Sequence, residues 1–150
     1  SPLTLERGEL ILGALLPWSM STPVWESRYR KTRLRKAVDR PILSLATAVA
    51  LAEDFTITDL RIAACGHGPA ASLVDGLEPF LGARLDREVA SAIGRQVFRW
   101  FVPSPALRVD PRWRRHMAGV MTRQILFDII QSRSTADSSI DETFVDPNGH

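Results

Sequence analysis

The side chains best suited to chemistry crowd between Arg28 and Arg40, where Arg28, Arg30, Lys31, Arg33, Arg35, Lys36 and Arg40 place seven of the nineteen Lys and Arg residues within thirteen positions. Cations at that density can neutralise nucleic-acid phosphates, face solvent as a charged loop, or lend one or two of their number to a bound anionic or aromatic ligand. The residues alone leave all three open. Only one aromatic residue, Tyr29, lies in the stretch, and no helix-turn-helix, zinc-finger or RNA-binding motif surrounds it.

The remaining candidates read as structure rather than chemistry. Gly66-His67-Gly68 could cradle a phosphate on backbone N–H groups. It lacks the third glycine and the later acidic residue of a dinucleotide fingerprint, so a tight turn is expected. Cys65, His67 and His116 lack the paired spacing of a structural zinc site, and no metal is expected. Glu53-Asp54 reads as a turn and Asp86-Arg87-Glu88 as a helix start; no serine or cysteine sits in a nucleophile motif, and no catalytic residue is assigned.

These residues need elements to hold them. With 150 residues and 45% hydrophobic content, the chain has the apolar material for one domain. A single cysteine excludes an intrachain disulfide. The longest apolar run, Ile42 to Ala52, is too short to span a bilayer. A cytoplasmic protein without membrane contact is expected. The net charge of +2 hides +6 between Arg28 and Arg40 (seven bases, one acid) and −3 from Ser132 onward (one base, four acids).

Glu9 to Pro17 reads as a short strand. From Val24 the residues alternate so that Lys31 shares a face with Trp25 and Tyr29, and the aromatics suggest that this face is covered. Ile42 to Glu53 presents Leu43, Leu45, Thr47, Val49 and Leu51 on one side and Ser44, Ala46, Ala48, Ala50 and Ala52 on the other. Helix propensity favours an alanine-rich helix here, while Pro41, the Asp54-Phe55-Thr56 turn and the apolar run Ile57 to Cys65 favour a hairpin. As a hairpin, its smooth alanine face is expected to lie against a helix. Three helices should follow: one over Leu73 to Leu81, one from an Asp86 N-cap, and one from Asp110-Pro111 to about Gln131. The fold class is thus α+β, an antiparallel sheet of three or four strands followed by three helices on one face. Residues 1–131 form the domain and 132–150 a flexible acidic tail.

The chain resembles a known family from about Glu9 to Ile130. The resemblance is carried by Glu9-Leu10-Ile11-Leu12 before Pro17, Tyr29-Arg30-Lys31 with Arg35 and Asp39, Ser44 to Leu51, Ile57 to Ala63, Glu78-Pro79-Phe80-Leu81-Gly82 and Trp113-Arg114-Arg115. It is to the C-terminal domain of the FAD-binding subunit of molybdenum hydroxylases, the group of carbon monoxide dehydrogenase and xanthine dehydrogenase. The resemblance implies FAD as cofactor, with Ile11 against the flavin, Lys31 at its polar edge, and Arg35 and Asp39 supporting that segment. It implies an iron–sulfur subunit and a molybdopterin subunit as partners. The groups that grip the adenine, ribose and pyrophosphate of FAD belong to preceding domains in that family. The chain is therefore expected to be a fragment, a split subunit or a relative that lost FAD, inactive alone and not retaining the cofactor. Two departures stand out: Gly66-His67-Gly68-Pro69 replaces a Gly-Gly-Val-Ala stretch, and Ser72 stands where an arginine is expected. The reading from another class is a non-catalytic interaction module whose basic edge, Arg28 to Arg40, binds nucleic acid or an acidic protein. Under the family resemblance nucleic acid is not the expected partner.

Overall fold

The computed structural model describes residues 5–13, 24–33, 41–68, 70–104 and 109–141. Four strands, β1 (Val24–Thr32), β2 (Leu43–Leu51), β3 (Ile57–Cys65) and β4 (Ser72–Leu73), pair antiparallel in the order β1-β2-β3-β4. A 3-10 turn at Glu78–Phe80 and two helices, α1 (Arg87–Trp100) and α2 (Pro111–Asp141), complete the described residues. The class is α+β, as expected, with two helices rather than three. Among the described residues no helix is long and apolar enough to cross a membrane.

Sequential antiparallel pairing sets which residues share a face, because side chains alternate along each strand. In the register Glu26↔Val49↔Leu60 and Arg28↔Thr47↔Ile62, the bulky residues of β2 and β3 stand together and are buried with Ile93, Val97, Ala118, Met121, Ile125 and Ile129 of the helices. The helices therefore cover the face carrying Leu43, Leu45, Val49 and Leu51. The alanine face, expected to lie against a helix, is the one the helices leave uncovered, with Ala46 exposed and Ala48 half-buried between the buried Ser44 and Ala50. Burying Leu and Ile removes far more apolar area than burying Ala, and this decides which face the helices take.

α2 runs beside β1 and is held to it residue by residue. Thr32 donates to Met121 Sδ, Arg30 donates to Gln124 and pairs with Asp128, and Arg28 donates to Ser132. Positions 32, 30 and 28 recur every second residue on the strand. Their partners 121, 124, 128 and 132 recur at helical spacing. The helix continues to Asp141, past the Gln131 expected from the sequence, so its last part enters the segment read as a flexible tail. Ser132, Ser134 and Thr135 hydroxyls donate to carbonyls four residues back, which the helix tolerates, and Arg133 ties this part of it to the sheet by donating to the Leu51 carbonyl and lying 5.4 Å over the Phe55 ring. Residues 142–150 of the expected tail lie outside the described residues.

Two other expectations are corrected. The segment expected to be helical from Leu73 to Leu81 is not an α-helix. Leu73 pairs with Ala63 in the sheet, Gly76 has φ +74° with Gln96 packed against it, and Pro79 sits in the 3-10 turn. Its apolar spacing is met by a loop that buries Val74 and Leu77. The first expected strand is likewise absent over residues 9–13, where Leu10, Ile11 and Leu12 are 83%, 65% and 98% exposed; residues 14–17 lie outside the described residues. A strand needs a hydrogen-bonding neighbour, and the hydrogen bonds described here are local ones between Glu6 and Glu9. The expected caps are present, with Asp86 accepting from Val89 N–H and Asp110 from Arg112 N–H.

α1 and α2 meet at Gly94 and Gly119. A Cβ at Gly94 would stand 2.8 Å from the Gly119 carbonyl oxygen, and one at Gly119 would stand 2.7 Å from that of Gly94. Replacing Gly94 with alanine gains roughly 1 kcal/mol of helix propensity. It also forces two backbones apart, and overpacking of this kind costs about 1–3 kcal/mol or more. A net loss of stability is expected for Gly94→Ala in denaturant unfolding; a gain of about 1 kcal/mol would show that the helices separate freely.

Candidate functional site

The uncovered face of the sheet holds one of the candidate site residues, Lys31, beside the aromatic residues of β1. β1 contributes Trp25, Ser27, Tyr29 and Lys31; β2 contributes Ala50, Ala48, Ala46 and Ser44; β3 contributes Asp59, Arg61, Ala63 and Cys65. Small residues meet across the strands in the rows Tyr29↔Ala46↔Ala63 and Ser27↔Ala48↔Arg61, with Trp25, Tyr29 and Arg61 standing around them, so the face is a trough. Tyr29, Ala46, Ala48, Arg61, Ala63 and Leu73 line a cavity of about 480 Å³ there. That volume falls within the usual range of small-molecule and cofactor sites. Arg61 reaches across β2 to lie 5.3 Å from the Trp25 ring centre, a cation–π contact that the small Ala48 and Ala50 side chains permit. Its guanidinium also pairs with Asp59.

Tyr29 is 58% and Leu73 63% exposed, and Trp25 is also exposed. Apolar surface in one continuous patch rimmed by polar residues marks a surface that meets something. The sequence-based expectation that the aromatics mark a covered face is corrected: helices occupy the other side of the sheet.

The expected site residues fare differently. Lys31 lies on this face, exposed, two residues beyond Tyr29, in the row Lys31↔Ser44↔Cys65. It makes no hydrogen bond or ion pair among the described residues. Ile11 is in no strand and is exposed, so its segment meets no partner within the described residues. Arg35 and Asp39 lie outside the described residues. The period of two thus divides the basic stretch: Arg28 and Arg30 are engaged by α2, and Lys31 remains available on the bare face. Sequence reasoning passed over Arg61, Ala63 and Leu73. The signal that could have found them is the run of small residues on alternate positions of two adjacent strands.

Gly66-His67-Gly68 is a structural turn. Gly66 has φ +102°, and a Cβ there would meet the Ile42 carbonyl oxygen at 2.6 Å. His67 stacks on Trp100 with ring centres 4.7 Å apart, and its Nδ1 accepts from the Val102 N–H. The fully buried Arg114 donates to the carbonyls of Gly66 and Ser104, tying this turn to the start of α2. Burial lowers its pKa from the ordinary arginine value. No group of three or more His, Cys, Asp or Glu is placed to hold a metal among the described residues.

The family described as the CO dehydrogenase flavoprotein C-terminal domain matches residues 27–129, which run from β1 into α2. Among solved structures, the chain is similar to carbon monoxide dehydrogenase from Hydrogenophaga pseudoflava, in a form lacking the Mo-pyranopterin moiety of its molybdenum cofactor. Identity is 25% and the TM-score 0.59, over 67% of this chain and 34% of that one. Quinoline 2-oxidoreductase from Pseudomonas putida 86 shares the fold at 15% identity and TM-score 0.63, over 73% and 38% of the two chains. So does reconstituted CO dehydrogenase from Oligotropha carboxidovorans, at 19% identity and TM-score 0.58, over 67% and 35%. The chain thus spans between 34% and 38% of the length of these solved chains.

An open trough tolerates bulk that a packed face rejects. Ala48→Leu is expected to change the stability of the isolated chain by less than about 1 kcal/mol, since Ala48 is half-buried and packs against no helix. A loss of about 1–3 kcal/mol on unfolding would mean that this face is packed.

Proposed function

The chain belongs to the CO dehydrogenase flavoprotein C-terminal domain family, and on that premise we propose that its bare sheet face is the wall closing the flavin site of an FAD-containing subunit of a molybdenum hydroxylase-type oxidoreductase. The observation that carries this reading is the coincidence, on one uncovered face, of an apolar alanine-floored trough and Lys31, which pairs with no group among the described residues. A flat ring system needs an apolar surface to lie against and, when reduced, a positive charge near its edge; both are present. Tyr29, Ala46, Ala48 and Ala63 are the residues that would meet the ring system, and Lys31 its polar edge. FAD would supply the redox chemistry when bound.

The contribution of this chain is electrostatic and steric. An ammonium held near a reduced flavin stabilises its negative charge in a site from which water is excluded, and so favours the reduced state. The trough excludes water from one side of the ring and fixes its orientation. Ile11, exposed on a segment without a partner here, fits a contact completed by the flavin-carrying part of the subunit. Arg35 and Asp39 are proposed to support the segment after β1. The preceding FAD-binding domains, an iron–sulfur subunit and a molybdopterin subunit complete the assembly in this reading.

Pyrophosphate and adenosine contacts are the usual source of dinucleotide affinity, through backbone and charge-assisted hydrogen bonds. One trough and one ammonium do not offset the entropy of immobilising FAD, so the purified chain should be colourless. With the FAD-binding domains supplied in trans or by fusion, Lys31→Met should lower the flavin reduction potential, on the order of tens of millivolts, or weaken FAD retention. Methionine keeps an apolar stem while removing the charge. Unchanged potential and flavin content in that variant would contradict the role given to Lys31.

A further inference from the structure

A second cavity lies in the helical layer, on the opposite side of the sheet from the trough. Because α1 and α2 meet at Gly94 and Gly119, neither helix has a side chain at the crossing, and a groove opens beside it with backbone for part of its lining. Its volume is about 280 Å³. Besides the glycines, α1 gives it Ser91, Arg95 and Phe98, and α2 gives it His116, Val120 and Arg123.

The lining carries no carboxylate. Three other arginines of the helices are committed elsewhere: Arg114 to the Gly66 and Ser104 carbonyls, Arg87 over the Phe127 ring, and Arg115 to the carbonyls of Phe98 and Arg99. Arg95 and Arg123 make no hydrogen bond or ion pair among the described residues, and neither does His116. Two guanidinium groups brought to one groove from opposite helices repel, and an anion between them would turn that repulsion into charge-assisted hydrogen bonds. The remaining wall is apolar. Phe98 is half-exposed, and Arg115 holds it from outside with a guanidinium 4.8 Å from the ring centre. Val120 continues that wall from α2.

We propose that this groove binds a small organic anion with a flat apolar body, of the class of aryl carboxylates and aryl phosphates. The anionic group sits between Arg95 and Arg123 and the ring lies along Phe98 and Val120. The volume, just below the usual range for ligand sites, limits the ligand to about one ring and one anionic group. The proposal is independent of the flavin reading, since it uses none of the residues of the sheet face.

The test is a titration of the ¹⁵N-labelled chain with phenyl phosphate, inorganic phosphate and phenol, followed by NMR. Phenyl phosphate should shift the Gly94 and Gly119 amide signals saturably, with a midpoint at least about tenfold below that of inorganic phosphate, and phenol should leave both signals in place. Arg95→Gln combined with Arg123→Gln, both at exposed positions, should raise the phenyl phosphate midpoint by about tenfold or more. Phe98→Leu should weaken phenyl phosphate and leave inorganic phosphate unchanged. Absence of saturable shifts, equal midpoints for the two phosphates, or tight phenyl phosphate binding by the double variant would each overturn the proposal.

Discussion

A four-stranded sheet has two faces, and both helices among the described residues lie on one of them. The choice is made by β2, whose alternation of Leu43, Leu45, Val49 and Leu51 against Ala46 and Ala48 makes one side bulky and the other smooth. Apolar area drives the helices to the bulky side. The arginine clamps from β1 to α2 and the bare trough over the alanines follow from that asymmetry.

The same alternation explains how a cluster of basic residues can serve two ends. Arg28 and Arg30 point to the helical layer, where Ser132, Gln124 and Asp128 receive them. Exposed ion pairs of this type contribute little to stability singly. Their value here is to set the register of a long helix along an edge strand. Lys31, on the opposite side of the strand, is left free of such duties, and a strand with the other parity would have turned it into the helical layer.

Much of this was legible from residue order. The strands near Val24, Ile42 and Ile57, the Asp86 and Asp110 caps and the α+β class follow from alternation and capping chemistry, which are local. What failed was tertiary. Val74 and Leu77 show apolar spacing that a helix and a core-dipping loop satisfy equally, and Gly76, with φ +74°, decides for the loop. Aromatics on the Lys31 face suggested a covered surface, but exposure depends on what the rest of the molecule can reach, and the helices were already committed to Leu and Ile. Leu10, Ile11 and Leu12 read as a strand because they are apolar, and the described residues offer them no edge to pair with. The site was half legible: Lys31 was found by resemblance, whereas the trough beside it emerges only when β1, β2 and β3 are set in register.

If the bare sheet face is the surface covered by the flavin-carrying part of the subunit, oxidative footprinting of side chains should differ between the chain alone and the chain joined to the FAD-binding domains. Trp25 and Tyr29 should react freely in the isolated chain and become protected on joining, while Phe98 and Trp113 on the helices keep their reactivity. Equal reactivity of Trp25 and Tyr29 in both states, or protection confined to the helices, would contradict it.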